Sequence, residues 1–138
     1  MIAFDTDIFT LIVAGEASLG VRAAIFPPND QFLPIVVVEE VLRGRLNVIR
    51  LAEAGKSKVS VSRAYALFEG TVTALRRVRL LPYTDDAHSL FEIWRRAKLH
   101  VATHDLRIAA ICVAHDVTLV SRNKRDFEQV PGLKLAIW

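Results

Sequence analysis

Short apolar segments alternate with helical segments along the whole chain, and this alternation restricts the folds open to it. The helical segments repeat apolar residues at helical spacing, and Gly and Pro residues punctuate the connections. Strands that alternate with helices pair in parallel, because each helix carries the chain back across the sheet. The sequence therefore predicts an α/β fold with a parallel sheet flanked by helices on both faces. The predicted strands are residues 2–4, 35–38, 79–83, 117–121 and 133–137.

Capping residues and a proline mark the ends of several predicted helices and strands. Asp5 or Thr6 is expected to cap a first helix that runs over residues 8–13, and Thr103 is expected to cap a later one. The β-branched run at residues 35–38 reads as a strand buried on both faces. Pro34 suits the first position of this strand, because proline has no N–H to donate to the ladder. The other predicted helices are residues 39–54, 60–78, a segment that starts at Asp85, and 105–114.

Length and composition suit one domain that spans residues 1–138. The chain is 52% hydrophobic and 24% charged, so it can bury a core and does not resemble a disordered segment. The apolar N-terminus carries Asp5 and Asp7 and no basic residue, which argues against a signal peptide, and no apolar stretch is long enough to cross a bilayer. Cys112 is the single cysteine, so a reducing, cytoplasmic location is expected.

Four acidic residues lie in apolar surroundings near points where strand or loop passes into helix: Asp5, Glu40, Asp105 and Asp126. In a parallel sheet ligands gather outside the carboxyl ends of the strands, so these side chains are expected to converge there. Carboxylates drawn together in apolar surroundings repel one another unless a cation holds them. The chain as a whole is basic, with a formal charge of +3, which favours a polyanionic partner.

An all-oxygen set of ligands suits Mg²⁺ or Mn²⁺. Such a metal lowers the pKa of a bound water and orients it in line with a phosphodiester, and a second metal would stabilise the leaving oxygen. The four histidines are scattered and there is one cysteine, so no zinc cluster is expected. The chain also lacks a Walker-type phosphate loop and a GxSxG motif.

Each acidic residue also has a structural interpretation. Asp5 would serve as a helix cap and Asp105 as a first-turn acid that the helix dipole stabilises. Asn123 and Asp126 read equally well as a variant capping box. Glu39 and Glu40 are adjacent, and one of them is expected to pair with Arg43, so the sequence alone leaves both open as site residues.

Three blocks of the sequence resemble the PIN-domain family, and most closely the VapC toxins of type II toxin–antitoxin modules. They are MIAFDTDIF, EEVLRGRL and HDLRIAAICVAHDVTLVSRNKRDFEQVPGL, and together they reach nearly from end to end of the chain. The resemblance implies a parallel sheet between helices, metal-dependent endoribonuclease activity, an RNA substrate, a cognate antitoxin and a homodimer. It also implies Mg²⁺, or Mn²⁺, as the cofactor.

The resemblance assigns roles to individual residues. It makes Asp5 the first metal ligand, Glu40 the second, four residues before Gly44, and Asp105 the third. The family places a fourth acid where this chain has Asn123 or where it has Asp126; only Asp126 is acidic here and takes the assignment, with Asn123 as a polar support. The accessory residues are Asp7, where the family often has Asn, and Ser121. The sequence itself offers Ser121 either as a strand-end hydroxyl that orients a ligand or as a simple cap. The candidate RNA contacts are Arg43, Arg45, Arg107, Arg122 and Arg125.

Two other functions fit the same pattern of strands and acids. A phosphoacceptor domain of the receiver type also clusters acids at strand ends, and Asp85 and Asp86 follow the strand at residues 79–83. The Asp105 and Asp126 segments have no role in such a domain. The other alternative is an interaction module without catalytic activity, which would bind no metal.

Overall fold

The structure is a computed structural model that describes all 138 residues. Five strands form one sheet in the order β3-β2-β1-β4-β5, and every neighbouring pair is parallel. The predicted α/β fold with a parallel sheet is thereby confirmed. The strands are β1 (Ile2–Phe4), β2 (Gln31–Pro34), β3 (Arg79–Leu81), β4 (Thr118–Ser121) and β5 (Leu135–Ile137).

Seven α-helices connect and flank these strands. They are α1 (Thr6–Val13), α2 (Ala17–Ala24), α3 (Ile35–Glu53), α4 (Val61–Leu75), α5 (Asp85–Arg96), α6 (Thr103–Ala114) and α7 (Lys124–Phe127). A single 3₁₀ turn, Pro28–Asp30, precedes β2. Helix α3 packs against α4, and α5 packs against α6. None of these helices is long and apolar enough to span a membrane.

The core lies around the central strand β1 and the helix α6. All three residues of β1 are buried, and in α6 every residue from Ile108 to Cys112 is fully buried. A helix that is apolar on all sides belongs inside a protein, and this burial raises the pKa of the Cys112 thiol to about 12. Asp105 thus stands in the first turn of the most deeply buried helix.

The prediction of a strand at residues 35–38 was wrong. The strand is Gln31–Pro34, and Ile35 begins α3. Pro34 is the last residue of the strand and the N-cap of the helix, not the first strand residue as expected. Val and Ile form helices only slightly less well than other residues, so packing of Val36 and Val37 into the core outweighs their strand preference.

Other boundaries shift by a few residues. Asp5 caps α1 as expected, whereas α6 begins at Thr103 itself, with Ala102 at the cap position and no side-chain cap. The predicted helix 60–78 spans Val61–Leu75, with Ser60 as its cap, because the chain turns at Arg76 before β3. The strands predicted at 79–83, 117–121 and 133–137 are each shorter than expected.

Candidate functional site

A cleft opens where the carboxyl ends of the three central strands meet. In the register of the sheet Phe4 lies beside Val120, and Ala3 lies beside Phe32, so the chain that leaves β1 emerges between β2 and β4. The cleft has a volume of about 160 Å³. It is lined by Asp5, Thr6, Asp7, Glu40, Asp105, Asn123 and Phe127. Three of the four predicted acids, from three separate segments, therefore face one space.

Asp5 is held by hydrogen bonds on both carboxylate oxygens. The backbone N–H of Ile8 donates to Oδ1 at 2.8 Å, which caps α1, and the Ser121 hydroxyl donates to Oδ2. Asp5 is only 6% exposed, and burial raises its pKa although both hydrogen bonds act in the opposite direction. The capping role and the place in the cleft, which the sequence presented as alternatives, are therefore combined in one residue.

Glu40 and Glu39 lie on different sides of α3, because adjacent helical residues differ by about 100° around the axis. Glu40 lines the cleft and accepts a hydrogen bond from the Thr6 hydroxyl. Glu39 is exposed, forms an ion pair with Arg43, and has its Oε2 3.4 Å from Nε2 of the half-buried His104. The structure thus places Glu40 in the cleft and Glu39 in a surface ion pair.

Among the carboxyl groups of the cleft, that of Asp105 has the most strongly shifted pKa. Burial raises its pKa to about 6, and repulsion from Glu40 and then Asp5 adds to the rise. No basic side chain forms an ion pair with it. The cleft therefore concentrates negative charge, and none of its carboxylates has an ion-pair partner.

Asn123 rather than Asp126 lines the cleft. The Asn123 Oδ1 accepts from the backbone N–H of Asp126 at 3.3 Å, which caps α7, and its Nδ2 donates to Asp126 Oδ2 at 3.0 Å. Asp126 is still close enough to contribute to the raised pKa of Asp105. Ser121 links this segment to the centre of the sheet, because its hydroxyl accepts from the Asn123 N–H at 2.9 Å and donates to Asp5.

The donor set fits a hard divalent cation in chemical type, since it consists of carboxylate and amide oxygens. The side chains do not stand in coordinating positions: no three His, Cys, Asp or Glu residues form a group able to hold a metal ion. The Glu40 carboxylate is turned toward Thr6, and the Asp5 carboxylate is turned toward Ser121. Metal binding would therefore require rotation of at least some of these side chains about their own bonds.

The predicted RNA-contacting arginines lie in different environments. Arg43 is paired with Glu39, and Arg107 packs its guanidinium 4.9 Å from the centre of the Phe91 ring, between α5 and α6. Arg125 is 93% exposed, with its Nε 3.7 Å from Asp126 Oδ1. Arg122 is exposed and borders a surface hollow beside Asp7. Arg45 borders a second hollow beside Glu40.

Two cleft residues were not among the predicted site residues. Thr6 was considered only as a cap, yet its hydroxyl binds Glu40, and Phe127 forms an apolar wall of the cleft. The position of Thr6 directly after Asp5 was the available signal, because a residue beside a strand-end acid lies at the same edge of the sheet.

Comparison with known proteins agrees with this architecture. The family model described as the PIN domain matches residues 2–133. No curated protein matches the chain. The structure is similar to a chain of VapBC2 from Rickettsia felis bound to a DNA fragment from their promoter, with a TM-score of 0.78, 20% identity, and coverage of 100% of this chain and 99% of that one.

Two further solved structures share the fold. A chain of FitAcB from Neisseria gonorrhoeae has a TM-score of 0.78 and 18% identity, with coverage of 100% of this chain and 96% of that one. A chain of the DNA-bound VapBC from Salmonella typhimurium has a TM-score of 0.75 and 19% identity, with coverage of 100% and 99%. The family model spans nearly the whole sequence, and the chain belongs to the PIN domain family.

Proposed function

We propose that this protein is a divalent-metal-dependent endoribonuclease, with Mg²⁺ or Mn²⁺ as the cofactor, and that it is the toxin of a toxin–antitoxin pair. The observation that carries the proposal is the cleft itself. Asp5, Glu40 and Asp105 come from distant parts of the chain and meet at the carboxyl edge of the sheet, without a basic partner for Asp105. Membership of the PIN domain family and the formal charge of +3 support the same function.

Each part of the cleft has a distinct task in this proposal. A bound divalent metal would lower the pKa of a water molecule and neutralise charge on the phosphodiester. Asp5, Glu40 and Asp105 would hold the metal, and the Ser121 hydroxyl and the Ile8 N–H keep Asp5 in a fixed orientation. Asn123 would present its side chain to the cleft while Asp126 steadies it. Phe127 forms an apolar wall of the cleft.

An antitoxin and a second copy of this chain are the proposed protein partners. The similar structures include a toxin–antitoxin complex from Klebsiella pneumoniae and VapBC complexes from other bacteria. The chain also exposes large apolar side chains, of which Ile25 is 76%, Val21 69% and Ile93 59% exposed. Such side chains are typical of protein interfaces when they cluster. Val36 and Val37 are buried and therefore do not belong to such a surface.

The phosphoacceptor alternative finds little support. Asp85 and Asp86 are exposed residues in the first turn of α5, after the edge strand β3, and they are absent from the lining of the acidic cleft. A receiver-type acceptor would have to lie among the other acids of its site. An interaction module without catalytic activity remains the competing function, and the binding of metal separates it from a nuclease.

The proposal is tested by incubating the purified protein with end-labelled single-stranded RNA in Mg²⁺, in Mn²⁺ and in EDTA. We expect internal cleavage with either metal and none in EDTA, because the three carboxylates need a cation to act together. Isothermal titration with Mn²⁺ provides a second readout. Cleavage that continues undiminished in EDTA would refute the metal-dependent mechanism, and an absence of both metal binding and cleavage would favour the interaction module.

A further inference from the structure

We infer that the hollow beside the acidic cleft is a subsite for the nucleotide next to the scissile phosphodiester, and that Arg45 contacts the phosphate of that nucleotide. The inference rests on the proposed ribonuclease function and adds to it the place where the substrate is gripped. It assigns a binding role to Arg45, Gly44 and Thr71, three residues outside the acidic cleft.

The hollow, which we call the α3 hollow, adjoins the acidic cleft directly. Its volume is about 290 Å³, at the lower end of the roughly 300–1,000 Å³ that small-molecule pockets occupy. Thr6 and Glu40 line both spaces, so the two spaces are adjacent and an RNA strand bound in the cleft would reach the hollow. The lining of the α3 hollow consists of Thr6, Thr10, Glu40, Val41, Gly44, Arg45 and Val48.

Gly44 keeps the α3 hollow open. It lies in the middle of α3, where Gly is the poorest helix-forming residue apart from Pro. Packing does not require a glycine here, because a Cβ built on Gly44 would meet no other atom within 4 Å. A larger side chain at this position would extend into the hollow. The missing side chain thus provides space at a position where helix stability alone would favour alanine.

Arg45 is held in place by a buried hydroxyl and not by an acid. Its Nε donates to Thr71 Oγ1 at 2.9 Å, and that hydroxyl donates in turn to the Leu67 carbonyl at 3.0 Å. Thr71 is only 2% exposed, so its hydroxyl is shielded from water. The guanidinium forms no ion pair, in contrast to Arg43, which is paired with Glu39. The terminal N–H groups of Arg45 therefore remain available to a phosphate.

The chemistry of the α3 hollow favours a nucleotide. Val41, Val48 and the threonine methyl groups offer apolar surface to a base or ribose, and Arg45 is the one cationic side chain in the lining. Glu40 repels a phosphate at the boundary with the cleft, so the attractive position in this lining is at Arg45. Arg binds phosphate through two parallel N–H groups, which fixes the register of the bound strand.

The first test compares Gly44→Leu, which fills the hollow, with Gly20→Leu. Gly20 is a matched control, because it also lies in a helix, its Cβ would meet no atom within 4 Å, and it lines no cavity. Affinity is measured by fluorescence anisotropy of a labelled single-stranded RNA in EDTA, so that neither metal nor cleavage contributes. We expect Gly44→Leu to bind about tenfold more weakly or worse, because the leucine side chain would occupy the space of the nucleotide. Its unfolding temperature should be at or above that of the wild type, because leucine favours a helix more than glycine does. Gly20→Leu should bind as the wild type does.

The second test compares Arg45→Gln with Arg50→Gln, another arginine of α3, which binds Asn47 on the surface. Arg45→Gln should weaken RNA binding by roughly five- to tenfold and should reduce the dependence of affinity on salt by about one phosphate contact. Arg50→Gln should change neither quantity. Thr71→Val leaves Arg45 charged but removes its support, so it should weaken binding less and leave the salt dependence unchanged.

The outcomes separate the subsite from the proposed function. Wild-type RNA cleavage with undiminished RNA affinity in Gly44→Leu would overturn the subsite and leave the nuclease intact. The same would follow if Gly44→Leu kept its RNA affinity and lost only its complex with a co-expressed antitoxin, because the hollow would then hold a peptide. A wild type that neither binds nor cleaves RNA would overturn the nuclease function and the subsite together.

Discussion

Asp5 and the pair Asp85–Asp86 both stand at the start of a helix that follows a strand, yet their surroundings differ. Asp5 caps α1 behind the central strand, is 6% exposed, and has a raised pKa caused by burial. Asp85 and Asp86 open α5 behind the edge strand β3 and are exposed, while Thr84 caps that helix. Water and the helix dipole stabilise the α5 pair. The position of the strand in the sheet decides which kind of environment an acid enters.

The centre of the sheet brings distant segments together, and the edge does not. Strand β1 has neighbours on both sides, so residues from α1, α3, α6 and the β4–α7 connection converge beyond its end. Strand β3 has a neighbour on one side only. The same local sequence signal, an acid at the beginning of a helix, thus marks a buried acidic cleft in one place and an exposed helix end in the other.

The largest contrast is expected in catalysis. Asp5→Asn should reduce metal-dependent RNA cleavage by at least roughly 100-fold, because electrostatic stabilisation is lost at the reacting centre. Asn still accepts the capping hydrogen bond from Ile8, so the fold should survive. Asp85→Asn, on the same assay of initial cleavage rates, should match the wild type. Equal cleavage rates for the wild type, Asp5→Asn and Asp85→Asn would show that Asp5 has no catalytic role.

A second contrast concerns stability in the absence of metal. The pKa of Asp105 is raised from 3.8 to about 6, which corresponds to a cost of on the order of 2–3 kcal/mol when the group is ionised. Asp105→Asn removes the charge and keeps the shape, so the variant in EDTA at pH 7 should be at least as stable as the wild type, and up to that amount more stable. Urea denaturation measures the difference.

Saturating Mg²⁺ should narrow or reverse the difference in unfolding free energy between Asp105→Asn and the wild type. The reason is that the wild type gains metal-binding free energy that the variant largely loses. Asp86→Asn provides the comparison in the edge helix, where the loss of a first-turn charge should cost about 0.3–1 kcal/mol with or without metal. If Asp105→Asn behaves in the same way as Asp86→Asn and keeps its activity, Asp105 is a structural helix acid.

The third contrast is the dependence of stability on pH. Between pH 3.8 and about 6 the folded protein holds a proton on Asp105 that the unfolded chain has released. The stability due to this raised pKa is therefore complete at low pH and is lost as the pH rises through about 6. In EDTA the wild type should lose stability relative to Asp105→Asn between pH 4.5 and pH 7.

Measurements of the unfolding free energy from pH 4.5 to pH 7 test whether the wild type loses stability relative to Asp105→Asn as the pH rises. Thr84→Ala, which changes no titrating group, should give a curve parallel to that of the wild type. If the difference in unfolding free energy between the wild type and Asp105→Asn stays constant from pH 4.5 to pH 7, Asp105 does not titrate in this range.

The smallest expected effect belongs to the cap of the edge helix. The Thr84 hydroxyl accepts a hydrogen bond from the Ala87 N–H at 3.2 Å. Thr84→Ala should therefore lower the free energy of unfolding by about 1 kcal/mol and leave RNA cleavage unchanged. A large loss of cleavage by this variant would mean that α5 takes part in the site, and the contrast between the centre and the edge would fail.

Local patterns were sufficient for most of the fold. Apolar segments such as residues 2–4 and 117–121 identified the central strands, since buried parallel strands are apolar on both faces. The run Ile35–Val38 was misleading because its β-branched residues are compatible with either structure. Only the tertiary packing of Val36 and Val37, together with the pairing of Gln31–Pro34, decides in favour of a helix.

The candidate site was harder to read at the level of individual side chains. The sequence identified the acids but not which of Glu39 and Glu40 turns inward, because that depends on where α3 begins. Nor did it reveal that Asn123 lines the cleft with Asp126 bound to it, since the answer lies in the short helix α7 and its cap. Whether these residues hold metal is a prediction that the variants above address.

The hydrogen bond between Ser121 and Asp5 joins residues 116 positions apart, and it has a consequence for the synthesis of the protein. A nascent chain that has been translated only as far as α6 already contains Asp5, Glu40 and Asp105 but not β4, the strand that pairs with β1. The partner of Asp5 and the residue Asn123 do not yet exist at that stage. Assembly of the cleft must therefore wait for the last fifth of the chain, and an incomplete product made near other RNAs would lack a formed site.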